Sequence, residues 1–319
     1  MPVDEAIALI QDNDTVVLGG FAGTGSPEAL FKALERRFRK TGSPRDLTYT
    51  CPAAPGDGKL GGVNRISLEG LVKRIIFGHI GLVPALQQLV VENKVEGYNM
   101  PLGVVAHLYR DIAAGKPGTL TRVGLGTFAD PEFGGGKMNE RSTDDRVVRL
   151  FVEGEPYLLY KSFPIQIALV RGTTADSEGN VSLEHEALNH GLRSMAAAVR
   201  NSGGKVIVQV KQIVENGTLT GRRIHLPACM VDAVVVAADE DDSGQTYAEY
   251  FNPTFCGDLR VNHDEMPTLA LNERKIIARR AAMELVPNAV INLGIGMPEG
   301  VAQVAAEENI SDLVTLTTE

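Results

Sequence analysis

The sequence predicts an α/β protein of two similar open-sheet domains, the second incomplete in this chain. Three observations carry that expectation. Short apolar, β-branched runs alternate with amphipathic helical stretches, the pattern of a layered sheet with helical crossovers. The run Val16-Val17-Leu18-Gly19-Gly20-Phe21-Ala22-Gly23-Thr24-Gly25-Ser26-Pro27-Glu28 reads as a buried strand, a glycine-rich turn and a Pro-Glu helix start. The same device returns at Ala289 to Leu293 with Gly294-Ile295-Gly296-Met297-Pro298-Glu299, and each copy follows a helical pattern, Val3 to Ile10 and Arg274 to Leu285. Such self-similarity indicates a duplicated architecture.

Bulk properties narrow the function classes. With 319 residues, two domains are the starting expectation, and 44% hydrophobic with 22% charged residues is ordinary for a globular chain. A net charge of −9 argues against nucleic acid as a main partner and against an anionic membrane surface. No apolar run reaches the roughly 20 residues needed to span a bilayer. Cys51, Cys229 and Cys256 lie far apart with no CxxC pair, which fits a reducing cytosol and excludes the usual thiolate zinc spacing. Asp4, Glu5, Asp12 and Asp14 argue against a signal peptide. The expected location is the cytoplasm.

Taken in order, Val3 to Ile10 predicts a short helix and Thr15 to Leu18 a strand. Ser26-Pro27-Glu28 predicts the cap of a helix whose apolar stripe is Leu30, Phe31, Leu34 and Phe38. A strand over Leu47 to Cys51 leads to a Pro/Gly loop, and Ile75 to Phe77 is a further apolar run. Pro84 to Asn93 is helical. Tyr98 to Val105 is another strand-turn-helix entry whose helix runs to about Ala114. Gly124 to Arg141 is the most glycine-dense loop. Strands follow at Tyr157 to Tyr160, Ile165 to Arg171 and Lys205 to Val210, with a helix over Glu184 to Arg200. The apolar run Val231 to Ala238 predicts a central parallel strand buried on both faces, and Asp239 to Asp242 a solvated loop. Periodicity then fails from Thr254 to Asn272. The expected division is a first domain over 1–260, a linker over 261–271 and the start of a second domain over 272–319, with Asn272 capping a helix. A domain that short leaves strand edges unpaired, so a C-terminal fragment or a second subunit is expected to complete it.

Several chemistries fail on spacing. Lys137 is followed by Met138, so no phosphate-binding GxxxxGK[ST] loop is present. His185 and His190 are five apart, about 140° off on a helix, which departs from the HExxH zinc spacing, and no metal site is expected. The acidic run lacks EF-hand spacing. No G-x-S-x-G elbow occurs. The glycine-rich turns and Glu319, at the tip of the strand-like run Leu313 to Thr318, remain; a carboxylate at a strand tip sits where α/β proteins place chemistry.

Asp12-Asn13, Val16-Val17-Leu18-Gly19-Gly20-Phe21, Gly25 and Pro27 resemble the first signature of the family I coenzyme A transferases. Gly124-Leu125-Gly126-Thr127-Phe128, Asp130-Pro131 and Gly135-Gly136-Lys137-Met138-Asn139 resemble the acetate/propionate branch, as do Ser162-Phe163-Pro164, Asp176 with Gly179-Asn180, and Asn201-Ser202-Gly203-Gly204. Asn292 to Pro298 resembles the opening of the family's second half, and Thr315 to Glu319 its strand ending in a catalytic glutamate. The resemblance implies two Rossmann-like domains of that family's type and transfer of coenzyme A between a short-chain acyl-CoA and a free carboxylic acid. Glu319 would be the nucleophile, forming a glutamyl-CoA thioester in a ping-pong cycle. Gly20, Phe21, Gly23, Gly25, Leu102, Gly103, Gly294 and Gly296 would bind substrate and coenzyme A, the two glycine turns lining the acyl and pantetheine pocket and Leu102 facing the substrate carboxylate. It implies no cofactor besides coenzyme A, which is substrate and covalent intermediate, and a homo-oligomer. Leu102 stands where the family carries a glutamine, and a leucine side chain cannot donate a hydrogen bond; this points to a more apolar acyl group or to a weakened site. Where the family continues with Gly-rich sequence, nothing follows Glu319. An activated glutamate can be attacked by a neighbouring backbone amide, so the chain is expected to be a piece of a longer enzyme split there; separately encoded subunits, or a truncation at that point, are the alternatives. Two rival functions are a transferase-like subunit of an acyl-carrier lyase or decarboxylase, and a non-catalytic ligand-binding module.

Overall fold

The computed structural model describes residues 1–261 and 268–317. The chain falls into two compact units, Met1–Cys256 and Gly257–Glu319.

The first unit opens with α1 (Val3–Ala8) and β1 (Thr15–Leu18), followed by α2 (Glu28–Thr41). In α2, Leu30, Phe31 and Leu34 are buried and Phe38 packs against them, the spacing of one helical face. Gly42 ends the helix in the left-handed conformation, φ 70°. Next come β2 (Leu47–Ala53), β3 (Val72–His79), α3 (Pro84–Val91), β4 (Glu96–Asn99) and α4 (Leu102–Ala113). After these lie β5 (Gly118–Thr121), β6 (Val147–Val152), β7 (Glu155–Lys161), β8 (Ile167–Arg171), β9 (Thr174–Asp176) and β10 (Val181–Ser182). The unit ends with α5 (Leu192–Asn201), β11 (Lys205–Val210), β12 (Gln212–Val214) and β13 (Ala233–Val236).

Seven of these strands form one sheet in the order β13-β11-β8-β1-β2-β3-β4, every neighbouring pair parallel. The chain builds β1 to β4 in one direction, then returns to the far side of β1 with β8 and continues outward. That reversal is a topological switch point, and in open α/β sheets the crevice beyond the strand ends at that point is where ligands bind. Apolar layers cover both faces. One joins α1, α2 and α3 residues such as Ile7, Phe31 and Leu89 to Leu18 and Leu169; the other joins α4 and α5 residues such as Leu108 and Met195 to Val17 and Val170. Two further three-stranded sheets, β5-β7-β6 and β10-β9-β12, are inserted in sequence between strands of the large one.

Several elements differ from their sequence-based expectation. The strand buried on both faces is β8, all five residues of which are buried. The more apolar Val231 to Ala238 supplies only the edge strand β13, where Val236 is 44% exposed. The helix expected from Glu184 starts only at Leu192. His190 and Gly191 pass through left-handed backbone, φ 49° and 68°, and Glu186 is drawn into a buried ion pair instead. Asp242 is buried, not solvated, and pairs with Lys32. Ser26 does not cap α2; its hydroxyl donates to Glu28.

The second unit holds α6 (Glu273–Ala282), β14 (Val290–Asn292), α7 (Glu299–Glu307) and β15 (Thr315–Thr317). Asn272 caps α6 as expected, its side chain accepting from the Lys275 N–H at 3.1 Å. Pro298 precedes α7 as its cap instead of being its first residue. Strands β14 and β15 pair in parallel around a small core of Ala278, Ala282, Val301 and Val304. The expected burial of β14 is not seen, with Val290 71% exposed, because among the described residues β15 is its one neighbour. No helix among the described residues is long and apolar enough to cross a membrane.

The position of β8 predicts its energetic weight. Leu169 is fully buried at the centre of the sheet. Leu169→Ala is expected to lower the free energy of unfolding by about 2–5 kcal/mol, the usual cost of such a cavity, measured by urea denaturation. A loss under about 1 kcal/mol would place the core elsewhere.

Candidate functional site

The site is built where β1 ends beside β8. Gly19 N–H donates to Leu169 O at 2.8 Å, and a Cβ on Gly19 would press on the Val170 backbone, so only glycine lets the two strands close here. The chain then makes a tight turn, Phe21 to Thr24, closed by two backbone hydrogen bonds of 3.0 Å, one in each direction. Within it Ala22 has φ 49°, a left-handed conformation that a residue with a Cβ rarely adopts. Ala22 O accepts from Gly56 N–H at 2.8 Å, which ties the turn to the loop after β2. The Ala22 and Gly23 N–H groups donate to nothing among the described residues.

Three groups hold this turn from the α2 side and from β8 and β11. The first is Glu28, the buried opening residue of α2, where the helix dipole favours a negative charge. Its carboxylate accepts from Ser26 at 3.0 Å, from Gly62 N–H at 2.5 Å, from Arg65 Nε at 2.9 Å and from the Tyr247 hydroxyl at 2.5 Å. The second is Arg171 at the end of β8. It donates to Glu186 through Nη2 at 2.6 Å and through Nε, and its Nη1 donates to Ser26 O at 3.2 Å and Gly244 O at 2.7 Å. Both side chains of that pair are nearly fully buried, 3% and 1% exposed. The third is Gln209 on β11, which accepts from Ala29 N–H at 2.9 Å and donates to Asp242 O at 2.7 Å.

The segment after β13 lies over the same turn. Gln245 to Tyr250 forms a small hairpin, with Gln245 N–H donating to Tyr250 O at 2.7 Å. It docks through Tyr247 N–H on Gly23 O at 3.0 Å. A cleft of about 270 Å³ opens there, lined by Gly23, Gly25, Glu28, Arg171, Tyr247 and Tyr250 among others. Burial and the neighbouring Glu28 carboxylate push the Tyr247 phenol above its ordinary range, so it stays a neutral donor. On the outer side Lys211 Nζ sits 4.9 Å from the Tyr250 ring centre, and burial lowers its pKa.

The histidines singled out by spacing serve this region separately. His185 packs its ring on Phe251 at 4.8 Å. His190 Nε2 lies 2.9 Å from Thr24 Oγ1. Burial takes the His190 pKa down to about 4, the Glu186 charge opposing and the Arg171 charge adding to it. Among the described residues no group of three or more His, Cys, Asp or Glu is placed to hold a metal ion.

Phe21 and Gly23 therefore lie in one turn, with Gly20 and Gly25 immediately on either side of it. Leu102 and Gly103 open α4 at the same end of the sheet, beyond β4; Leu102 is half-buried with its Cα and Cβ against Gly78. Gly294 and Gly296 lie between β14 and α7 in the second unit, with open space around both and φ 96° at Gly296. Glu319 lies outside the described residues. Glu28, Arg171, Glu186, Gln209 and Tyr247 were missed from sequence. Arg171 alone carried a signal, as a charge closing an all-apolar strand that must meet a buried counter-charge.

The coenzyme A transferase family model matches residues 1–237. A caffeate CoA-transferase of Acetobacterium woodii is 44% identical over 316 residues, which is 99% of this chain and 60% of that protein. The acetate CoA-transferase YdiF of Escherichia coli O157:H7 is 37% identical over 100% of this chain and 60% of its own length. The crystal structure of the Escherichia coli O157:H7 acyl-CoA transferase YdiF in a thioester complex with CoA matches with a TM-score of 0.94, at 36% identity, over 100% of this chain and 64% of that one. The chain thus spans about 60% of the length of these curated relatives.

Two outcomes are expected from the electrostatics. Glu186→Gln leaves Arg171 buried without its counter-charge, which should lower stability by about 3–5 kcal/mol in urea denaturation; an unchanged midpoint would show that the pair is dispensable. For His190 the folded pKa of about 4 lies below its ordinary 6.5. Between those values the unfolded chain binds the extra proton, so stability rises with pH and is lost as pH falls from about 6.5 towards 4. Thermal melting across that window should show a steeper acid loss for the wild type than for His190→Asn, and parallel curves would count against it.

Proposed function

The chain belongs to the coenzyme A transferase family, and on that premise we propose that it moves coenzyme A from an acyl-CoA to a free carboxylic acid through an enzyme-bound thioester. The observation that carries this reading is the strained Phe21–Thr24 turn at the switch point, with the Ala22 and Gly23 amides donating to nothing among the described residues. Backbone donors fixed in advance stabilise the oxyanion that forms when a carbonyl is attacked. A glycine-rich backbone also lets an acyl chain and a pantetheine arm approach without a Cβ in the way.

Glu319 is assigned as the nucleophile from its place in the sequence motif. Its carboxylate oxygen attacks the thioester carbonyl; the C–S bond breaks, leaving a mixed anhydride and the CoA thiolate. The thiolate attacks the glutamyl carbonyl of the anhydride, the C–O bond breaks, and a free acid departs from a glutamyl-CoA thioester. The acceptor carboxylate then attacks that thioester and the same steps run in reverse. A carboxylate is a weak nucleophile, so close positioning and oxyanion stabilisation must supply the rate. Coenzyme A is substrate and covalent intermediate, and no step calls for a metal or redox group. Gly294 and Gly296 are assigned to the pantetheine on the strength of the repeated motif.

The relatives are named for caffeate and for acetate, and both support a carboxylic acid without a second charge. Leu102 at the start of α4 supports the same preference, since its side chain offers no donor to a distal carboxylate. Completion of the second unit by a further segment or subunit, and assembly into a homo-oligomer, belong to the same proposal.

In the protein expressed from its complete gene, Glu319→Ala is expected to abolish CoA transfer between acetyl-CoA and propionate while binding of CoA persists. Intact mass after exposure to acetyl-CoA should show the wild type heavier by one coenzyme A less a water, and the variant unchanged. An adduct on the variant, or transfer by it, would remove Glu319 from the role.

A further inference from the structure

Three residues of the first unit other than glycine, asparagine and aspartate have left-handed backbone: Ala22, Glu153 and His190. Glu153 sits in the two-residue hairpin between β6 and β7, where such a conformation belongs. The other two are about 170 residues apart in sequence, yet both have φ 49° and they flank one hydrogen bond. Ala22 is inside the turn that ends in Thr24, and His190 Nε2 lies 2.9 Å from Thr24 Oγ1. Strain of this kind persists only where the surroundings over-determine it, and it gathers at working sites.

The hydrogen-bond arithmetic gives the pair a direction. Thr24 Oγ1 lies 3.1 Å from Phe21 O, a group that can only accept, so the single hydroxyl proton is placed there. With the hydroxyl proton given to Phe21 O, Oγ1 accepts from the ring, and the neutral His190 tautomer assigned here carries its proton on Nε2. The ring also lies where a Cβ on Gly25 would be, so glycine at 25 and histidine at 190 are chosen together. Burial keeps the ring neutral at ordinary pH, and the charged groups acting on it are Glu186 and Arg171, which oppose each other.

We infer that His190 is a positioning residue: through Thr24 it holds the Phe21–Thr24 turn in the strained form that presents the Ala22 and Gly23 amides. This inference rests on the transferase reading. Without the His190 bond, the turn can relax Ala22 to ordinary backbone and the two amides turn away. Loss of aim by a fraction of an ångström is felt in the chemical step more than in substrate affinity.

The test uses the protein expressed from its complete gene. Wild-type CoA transfer from acetyl-CoA to propionate is measured first; its absence would fail the transferase reading, and with it this inference. Given wild-type transfer, His190→Phe keeps a ring of similar size without the donor, and kcat is expected to fall by about 10- to 100-fold with KM within about three-fold. His190→Gln carries an N–H at the reach of Nε2 and should recover most of that loss. Thr24→Val, which removes the relay from the other side, should match His190→Phe, while Thr24→Ser should stay near wild type. Wild-type kcat in both His190→Phe and Thr24→Val would overturn the inference. So would a loss that His190→Gln does not relieve and that tracks a lowered melting temperature in every variant, since that pattern marks a merely structural role.

Discussion

A guanidinium buried at the end of an inner strand, beside the central one, is the constraint on which the site depends. Arg171 closes β8, a strand with water on neither face, and a charge there is tolerated only if its donors are all met. Meeting them pulls three distant segments to one point. Glu186 must leave the helix that its neighbours would otherwise join. Ser26 must bring the start of α2 against β8. Gly244 must bring the segment after β13 back over the sheet. The glycine turn after β1 is enclosed because these three arrive around it. The cleft beside it is therefore a by-product of neutralising one charge.

Much of the fold was legible because hydrophobic period and turn chemistry agree along most of the chain. Thr15–Leu18 and Lys205–Val210 are the strands their sequences announce, and the helices after Pro27, Val83 and Pro101 begin where proline allows them to. The failures share one cause. Periodicity reports how apolar a segment is, and position in a sheet is decided by topology. Val231 to Ala238 is more apolar than Ile167 to Arg171, yet the latter is central because the chain returns to β1 there, and the former becomes the edge.

The site divides along a similar line. Its glycines were visible, since a turn of Gly20, Gly23 and Gly25 between a strand and a proline has few other uses. The polar frame was not. Glu28, Tyr247 and His190 look like ordinary surface residues in sequence and Gln209 like one more position of a strand, and they become a frame only when strands from both halves of the sheet meet. His190 is the clearest instance: an expected helix-face residue became a ring lodged against Gly25, on a stretch of backbone that is not helical at all.

The reversal of strand order also governs when the molecule can assemble. Strands β1 to β4 follow one another through short helical crossovers, so that half-sheet can form while the rest of the chain is still being made. β8 pairs with β1 across about 150 residues, and closing so long a loop is slow and entropically costly. Until it closes, the inner flank of β1 is an open apolar edge, and Arg171 has neither strand nor counter-charge. The crevice is thus expected to be a late product of folding, and a nascent chain stalled before β8 would carry its glycine turn on a sticky, unfinished sheet.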